Sequence, residues 1–389
     1  MREVSSGGPL LVYGPRSTTY DFGPSHPLTP RRFGPGIGLL EAIGAVPGLA
    51  PEPASDEVLG WVHDPAYIEL VRSFSIDPNA RPRAGIGPGD TPAFDGMHEA
   101  SAAVAGGSVA AMEAILRGDV EHAFHPGGGL HHAMPARASG FCVYNDPALA
   151  VARARRDGLR VLYLDLDVHH GDGVQAIHWN DPGVMTVSIH ETGLTLFPGT
   201  GFIDEQGGSD APGSKVNVPL DAGTGERGWL GALETVLPDL AGSFEPDIVV
   251  SQHGADAHAW DPLAHLNVTT TAMGEAARLI DRLAHRWAGG RWLATGGGGY
   301  EIYRVVPRVW ALVWLAASHA DVPAQLPPEW RAGWAADSER HSGAPLPRGF
   351  TDAPNAGLEV GRRREQADRQ ALEIAAEVHR RILPRQPIP

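Results

Sequence analysis

Cysteine and lysine are almost absent from this 389-residue chain, which contains one of each, Cys142 and Lys215. A single cysteine excludes an intrachain disulfide and any zinc cluster that needs several thiolates. The remaining basic residues are arginine, and GC-rich codon usage explains this bias without a functional reason. No run of about 18 apolar residues predicts a membrane span, and no apolar segment follows Arg2 and Glu3 to predict a signal peptide. We therefore expect a cytoplasmic protein.

Net positive charge is lacking as well. The formal net charge of -15 disfavours binding to nucleic acid or to an anionic membrane, and it suits a cationic partner. The chain is 42% hydrophobic and 20% charged, which are ordinary values for a folded globular protein. Glycine, with 49 residues, and proline, with 34, are abundant, and they predict many long, shaped loops.

The most informative stretch runs from Val161 to Gly173. It begins as an apolar segment typical of a buried strand, and acidic and imidazole groups then follow at its end. Because side chains alternate along a strand, Asp165, Asp167 and His169 are predicted to share one face. Two carboxylates and an imidazole are costly to bury unless a cation or hydrogen bonds compensate them. We therefore interpret this stretch as part of a metal site rather than as a set of structural caps.

Apolar strands alternate with helical patterns along most of the chain. This alternation predicts an α/β fold, a doubly wound and mostly parallel sheet with helices on both faces and with long loops forming the rim of the site. In such sheets, ligands bind beyond the carboxyl ends of the strands. The groups that follow predicted strand ends are His131/His132, Asp165–Asp172, Ser188–His190, Gln252–Asp256 and Gly296–Tyr300. We assign residues 1–320 to one catalytic domain. Residues 321–389 are predicted to form a Pro-rich irregular segment and a charged helix over 359–382, packed on the body or on a second subunit.

Three side chains are candidate metal ligands. Asp167 and His169 follow one strand, and Asp256 follows another. Alone, Asp256 is as readily interpreted as a helix N-cap, but beside an Asp-x-His pair a ligand is the better interpretation. Two carboxylates and one imidazole leave an open position on tetrahedral zinc, as in catalytic sites. The same set also accepts Fe(II) or Mn(II), so zinc is a preference.

Candidate acid–base and oxyanion groups accompany these ligands. His131 and His132 follow a glycine-rich loop, and the spare carboxylates of Asp165 and Asp172 are suited to orient imidazoles. Tyr300 follows four glycines and offers a phenolic donor for a tetrahedral oxyanion. A phosphate loop is the alternative interpretation of those glycines, but the register and lysine of a P-loop are missing. Since no G-x-S-x-G motif is present, the residues predict hydrolysis of an amide or ester by a metal-activated water.

Six motifs resemble those of a known family, the zinc-dependent histone deacetylase superfamily, and in particular its bacterial acetoin-utilisation branch. The similarity extends in order from about Tyr20 to Trp310. The motifs are Gly129-Leu-His-His132, Ser139-Gly-Phe-Cys-Val-Tyr-Asn-Asp146, Asp165-Leu-Asp-Val-His-His-Gly-Asp-Gly173, Phe197-Pro-Gly-Thr-Gly201, Gly254-Ala-Asp256 and Gly296-Gly-Gly-Gly-Tyr300. The resemblance implies an arginase/deacetylase fold and removal of acetyl groups from N-ε-acetyl-lysine.

The resemblance also implies roles for individual residues. Zinc would be held by Asp167, His169 and Asp256. His132 would be the general base and acid, oriented by Asp172, and His131 its electrostatic partner, oriented by Asp165. Tyr300 would bind the carbonyl oxygen. The remaining implied residues are the substrate-binding Asp90, Gly140, Phe141 and Phe197, the acetate-channel Arg32, and a structural potassium site on Asp165, Asp167, His169, Ser188 and Ile189. A second potassium site would fall on His178, Asp181, Val184 and Ser214. His170 has no assigned role.

The substrate is left open by these observations. A protein-lysine deacetylase, with an acyl-CoA synthetase as the substrate that the family implies, is our first hypothesis. An amidohydrolase of acetylated polyamines or other small acetyl-amines is the second, because an acidic rim suits either cationic substrate. A binding protein without turnover and a binuclear ureohydrolase are further alternatives. The chain could also form a homo-oligomer.

Overall fold

The structure is a computed structural model that describes residues 8–352 and 361–383. One eight-stranded sheet forms its centre, in the order β2-β1-β3-β8-β7-β4-β5-β6, and every strand pair within the described residues is parallel. The strands are β1 (Leu10–Val12), β2 (Pro47–Leu49), β3 (His122–His125), β4 (Val161–Asp165), β5 (Val184–Glu191), β6 (Lys215–Leu220), β7 (Ile248–Gln252) and β8 (Trp292–Thr295). The predicted doubly wound α/β sheet is confirmed.

Helices cover both faces of this sheet. They are α1 (Phe33–Ala42), α2 (Asp56–Leu59), α3 (Pro65–Ile76), α4 (Met97–Arg117), α5 (Asp146–Arg156), α6 (Asp172–Ile177), α7 (Glu226–Phe244), α8 (Thr270–Trp287), α9 (Val306–Ala317), α10 (Pro328–Ser342) and α11 (Arg362–Ile382). Among the described helices, α4 is the one long and apolar enough to cross a membrane, and 78% of its apolar stretch is buried in the fold. A helix in the core of a globular protein has the same composition, so the packing of α4 inside the fold explains its apolar sequence.

The register of the central strands determines where the site forms. Asp165, the last residue of β4, pairs with Ser188 of β5 on one side and with Gln252 of β7 on the other. All three strands are buried along their length, which fits their apolar sequences and their coverage on both faces. Since parallel strands end at the same edge, the polar residues beyond these three positions are brought together.

Helix α1 begins at Phe33 although Gly34, Gly36 and Gly38 lie in its first two turns. The glycines near its start weaken a helix, but the structure uses them for close packing against tryptophans. A Cβ atom on Gly36 would lie 2.5 Å from the Trp310 ring, and one on Gly34 would lie 2.8 Å from Trp334. Tertiary packing therefore overrides local propensity, and Arg32 is held immediately before the helix.

The predicted irregular segment after residue 321 is partly wrong. It contains α10, whose Trp330 is buried and donates a hydrogen bond to the carbonyl oxygen of Pro35 at 2.9 Å. Helix α11 packs on α7 of the same chain, and Asp368 accepts hydrogen bonds from the backbone of Gly225 and Gly228. The first two residues of the helix predicted over 359–382 lie outside the described residues. The division of the chain at residue 320 stays a prediction.

Candidate active site

The site lies beyond the carboxyl ends of β3, β4, β5, β7 and β8. Asp167 and His169 follow β4, Asp256 follows β7, and these three side chains form a group that could hold a metal ion. The His169 Nδ1 atom lies 2.9 Å from Asp167 Oδ1 and 3.3 Å from Asp256 Oδ2. The chain approaches this group closely at Gly254, where a Cβ atom would lie 2.1 Å from Asp167 Oδ2.

The oxygens of the two carboxylates have different environments. Asp167 Oδ2 accepts hydrogen bonds from Gln252 Nε2 at 2.8 Å and from the Gly298 backbone at 2.9 Å. Asp256 Oδ1 accepts one from the Val168 backbone at 3.0 Å. The buried Asp256 Oδ2 lies 3.3 Å from His169 Nδ1, but within residues 8–352 and 361–383 no hydrogen bond of good geometry reaches it. A buried carboxylate oxygen without a donor is costly, and a bound cation would satisfy it, so these residues fit a metal.

The charges in this group also favour a cation. Burial, together with the neighbouring Asp167 carboxylate, raises the pKa of Asp256 to about 6. Burial opposes charge on His169, but its contacts with Asp167 and Asp256 outweigh that effect and hold its pKa well above the usual value. The donor set of one imidazole and two carboxylates suits zinc and Fe(II), whose sites commonly combine these ligands.

The tandem histidines lie beside the ligand group, and each is paired with its own acid. His131 Nδ1 is 2.7 Å from Asp165 Oδ2, and His132 Nδ1 is 2.6 Å from Asp172 Oδ1. Burial opposes charge on His131, but Asp165 and Asp167 raise its pKa to about 9. Burial and the neighbouring His131 lower the pKa of His132 to about 4. The two neighbouring rings therefore differ in charge, His131 being cationic and His132 neutral.

Two polar residues of this site, Tyr163 and Gln252, had no role predicted from the sequence. The Tyr163 hydroxyl donates to Asp165 Oδ2 at 2.7 Å, and Gln252 donates to Asp167. A signal for Tyr163 exists in the sequence, because it precedes Asp165 by two residues and therefore shares its face of β4. The pairing of Gln252 with Asp165 depends on strand order, which the sequence does not contain.

Aromatic side chains line the approach to this centre. A pocket is lined by His131, His132, Asp167, His169 and Tyr300, together with the buried Leu28 and Cys142 and the partly exposed Gly140 and Phe141. The Phe141 and Tyr300 rings meet edge to face at 5.9 Å, and the Phe197 ring lies 5.0 Å from that of His132. Burial, reinforced by Asp256, raises the pKa of Tyr300 well above its usual value, so its hydroxyl stays a donor.

Backbone conformation shapes the rim of the pocket. Phe141 adopts a positive φ of 67°, which side chains rarely do, directly after Gly140. The Tyr20 hydroxyl donates to the Phe141 carbonyl oxygen at 2.7 Å, and Asp90 Oδ2 accepts a hydrogen bond from the Gly140 backbone at 2.9 Å. Asp90 is thereby fixed next to Phe141 on the exposed side.

Arg32 lies behind the pocket rather than at its mouth. It is buried and donates to the Gly297 carbonyl oxygen at 2.8 Å, and its guanidinium lies 5.5 Å from the centre of the Trp310 ring. It lines a second pocket, which shares Leu28 and Leu130 with the first. Arg32 therefore lies beside a second pocket next to the site, and its predicted role in an acetate channel stays a prediction.

The residues predicted for two potassium sites differ in their surroundings. Asp165, Asp167, His169, Ser188 and Ile189 lie together on the adjacent ends of β4 and β5. At the second set, the Lys215 ammonium donates to the Val184 carbonyl oxygen at 2.6 Å and to Ser214 Oγ at 2.9 Å, and it lies 3.5 Å from the Asp181 carbonyl oxygen. The Lys215 amine thus lies among the oxygens of this set, and burial lowers its pKa to about 7. The second potassium site stays a prediction. His170 contacts Thr200 and Gln175, outside the ligand group.

Comparison with known proteins identifies the class. Residues 26–317 match the histone deacetylase domain. The chain is 41% identical to the acetoin utilization protein AcuC of Bacillus subtilis strain 168, over 94% of this chain and 95% of that protein. It is 35% identical to AcuC of Staphylococcus xylosus, over 91% and 93% of the two chains.

Solved structures agree with these sequence matches. A crystal structure of an HDAC homologue complexed with SAHA has a TM-score of 0.81 at 30% identity, and one of an HDAC homologue from Aquifex aeolicus has a TM-score of 0.81 at 28% identity. Each comparison covers 94% of this chain and 100% of the other. The chain belongs to the histone deacetylase family. It is accordingly a deacetylase of a metal-dependent family with an arginase/deacetylase fold, and within that family it is most like the AcuC-type branch.

Proposed function

We propose that this deacetylase removes the acetyl group from N-ε-acetyl-lysine in protein substrates, with an acyl-CoA synthetase as the first candidate. The observation that carries this proposal is the position of Asp90, whose carboxylate is fixed on the rim by the Gly140 backbone. An oriented rim carboxylate can accept hydrogen bonds from the backbone N–H groups of a polypeptide. A small acetylated amine offers no such backbone. The rings of Phe141 and Phe197, which lie beside Tyr300 and His132, would contact the methylene chain of a lysine.

The metal of this proposal is zinc, with Fe(II) as the alternative, held by Asp167, His169 and Asp256. Two observations support this ligand set. Within the described residues Asp256 Oδ2 accepts no hydrogen bond of good geometry, and the carboxylates of Asp167 and Asp256 both lie close to His169. Such an ion, when bound, lowers the pKa of water and polarises a carbonyl group. Gln252 and the Gly298 backbone orient Asp167, as residues around metal ligands usually do.

The acid–base work belongs to the tandem histidines. His132, the neutral ring of the pair, takes a proton from the attacking water and later gives it to the departing lysine amine. Asp172 fixes its tautomer through Nδ1. His131, charged and held by Asp165, provides positive electrostatic potential as negative charge develops on the substrate. The Tyr300 hydroxyl, kept protonated by its buried surroundings, donates to the carbonyl oxygen.

Two further roles belong to the proposal. A structural potassium ion on Asp165, Asp167, His169, Ser188 and Ile189 would help to order the ends of β4 and β5. Arg32, beside the internal pocket that adjoins the site, would guide the acetate product. Its buried guanidinium offers the positive charge that a carboxylate needs. The cytoplasmic location stays a prediction.

A comparison of two substrates tests the proposal. The metal-loaded chain should hydrolyse an acetyl-lysine peptide more efficiently than N-acetylputrescine. Asp90→Asn should raise KM for the peptide by about tenfold, as expected for a lost charged hydrogen bond, and should leave acetylputrescine unaffected. Asp95→Asn, which removes the same charge from a nearby exposed loop, is the matched control.

The other outcomes separate the alternatives. Turnover of acetylputrescine without turnover of the peptide would overturn the proposal in favour of a small acetyl-amine amidohydrolase. No turnover of either substrate by the metal-loaded chain would favour a binding protein.

A further inference from the structure

A second group of metal-type ligands lies at the other end of the sheet. His122 is the first residue of β3, so it lies at the edge opposite the active site, which adjoins the carboxyl end of the same strand. Asp281 and His285 are one turn apart on α8, and His319 follows the end of α9. One ligand-type atom from each of these four residues lies within 4.8 Å of the others.

The three imidazoles surround the carboxylate almost symmetrically. Their ring centres are 5.1 Å apart for His122 and His285, 5.2 Å for His122 and His319, and 5.0 Å for His285 and His319. Asp281 Oδ1 lies 3.5 Å from the Nε2 atoms of both His122 and His285 and 3.2 Å from that of His319. The His285 and His319 Nε2 atoms are 3.1 Å apart.

These separations match the edges of a coordination tetrahedron. Ligands at about 2.0–2.1 Å from a tetrahedral zinc ion lie roughly 3.3–3.4 Å from one another. Four of the six edges are 3.1 to 3.5 Å long and scatter around that value, and the other two are no longer than 4.8 Å. Hydrogen bonds alone do not require such an arrangement, because the facing Nε2 atoms of His285 and His319 can share at most one proton.

The buried member of the group carries the strongest indication. His122 is 4% exposed, and its Nδ1 lies 2.8 Å from the Ala317 carbonyl oxygen, which can only accept a hydrogen bond. Nδ1 is therefore protonated, and the neutral ring presents a lone pair at Nε2. No residue in the described part of the chain forms a hydrogen bond with that Nε2 atom, which faces Asp281. Metal-bound histidines are typically fixed in this way through the other ring nitrogen.

We propose that His122, Asp281, His285 and His319 form a structural site for a divalent transition-metal ion, of which zinc is the preferred member. Three imidazoles and a carboxylate complete a tetrahedron and leave no open position, as in structural rather than catalytic sites. Nitrogen ligands disfavour calcium and magnesium. The site joins the start of β3 to α8 and to the end of α9. Since the His285 and His319 side chains are 38% and 53% exposed, an ion can enter from solvent.

Metal counting with a matched variant tests this proposal. Wild-type chain, freed of metal by a chelator and reloaded with zinc, should bind one ion more per chain than His285→Ala. The control is His341→Ala, which removes an exposed histidine from α10 and should bind as much zinc as the wild type. Cobalt(II) in place of zinc should give an additional tetrahedral absorption band that His285→Ala lacks. Deacetylase activity should be the same in all three proteins.

Stability measurements give an independent result. Zinc should raise the melting temperature of the wild type by several degrees more than that of His285→Ala, because only the wild type can bind at this site. Equal zinc content in wild type and His285→Ala, or half-saturation of the extra site only at millimolar zinc, would overturn the proposal. A binuclear active site would also give two ions, but His285→Ala would then retain both. The test does not depend on the proposed substrate.

Discussion

The Nε2 atoms of His131 and His132 lie 3.0 Å apart, so one must carry a proton and the other a lone pair. Each ring also directs its Nδ1 toward an acid, Asp165 or Asp172. The pair therefore holds three protons and one positive charge, and the neighbouring carboxylates favour placing that charge on His131. His132 is left as the neutral ring, which is the form that the proposed general base requires.

His132→Ala should keep its metal and lose most of its turnover. Removal of a general acid–base group typically costs about 10²–10⁴ in rate, and His132 is not among the proposed ligands. Metal content and kcat on an acetyl-lysine peptide are the two measurements. Normal turnover would remove the role assigned to His132, and loss of metal would mean that the ring holds the ligand group together.

Tyr300→Phe should lower kcat by about 10²–10³, the usual effect of losing one oxyanion donor. The ring would still pack against Phe141, so the variant should fold and bind metal like the wild type. Because the hydroxyl acts mainly in the transition state, KM should change little. A steady-state series checks both parameters. An effect confined to KM would show that Tyr300 serves binding instead.

Asp167→Ala should lose the active-site metal itself. Its Oδ1 lies beside His169, and its other oxygen is held by Gln252 and Gly298, so the carboxylate has no flexible substitute. Metal analysis after dialysis should show one ion less per chain than in His132→Ala. Equal metal content in the two variants would contradict the proposed ligand set.

Asp352→Asn should destabilise the fold at neutral pH and much less in acid. The Asp352 side chain is buried and accepts hydrogen bonds from Thr270 and Arg308, with His258 Nε2 at 2.9 Å. Burial opposes its ionisation, but His258 and Arg308 hold its pKa well below the usual value. Because the folded pKa is depressed, its contribution is complete above the unfolded pKa of about 4 and is lost as pH falls further.

Breaking a buried pair of this kind costs about 3–5 kcal/mol. Urea unfolding of wild type and Asp352→Asn at a series of pH values measures the difference directly. It should be greatest near neutrality and shrink below about pH 4. A difference that is independent of pH would show that packing, rather than the charge of Asp352, explains the loss.

Lys215→Met should destabilise the chain and make its stability depend on potassium. The substitution keeps an apolar stem but removes the ammonium from the oxygens of Val184 and Ser214. Potassium can fill such an oxygen-lined position. Melting temperatures in potassium and in tetramethylammonium salts, compared with those of the wild type, measure the effect. If potassium raised the melting temperatures of both proteins equally, the position of the Lys215 ammonium would not be the origin of the potassium effect.

Local sequence patterns predicted the strand and helix framework well. The apolar run that begins at Val161 forms the buried strand that it predicted, and Thr270–Trp287 forms a helix, α8, in a part of the chain where strands and helices were expected to alternate. Both elements combine a clear apolar pattern with clear ends, Thr269 being an N-cap whose side chain accepts from Ala272. Helix α10 was missed because its apolar side is narrow and is defined by Trp330 packing against distant Pro35.

The two clusters show why sites differ in predictability. Asp165, Asp167 and His169 are neighbours in sequence, and their spacing already indicates a common face. The resemblance to a known family then supplied roles for the remaining active-site residues. His122, Asp281 and His319 lie on three separate elements, each an ordinary residue in its own context. Only helix packing brings them together, so no local pattern could reveal the second group.

The burial of Lys215 has a consequence for the chain as a substrate. It is the only lysine in the sequence, and its side chain is fully buried in the folded protein. A folded copy therefore presents no lysine amine to an acetyl donor, to a second copy of the enzyme or to an amine-reactive reagent. Amine-directed labelling of the folded chain should therefore leave Lys215 unmodified.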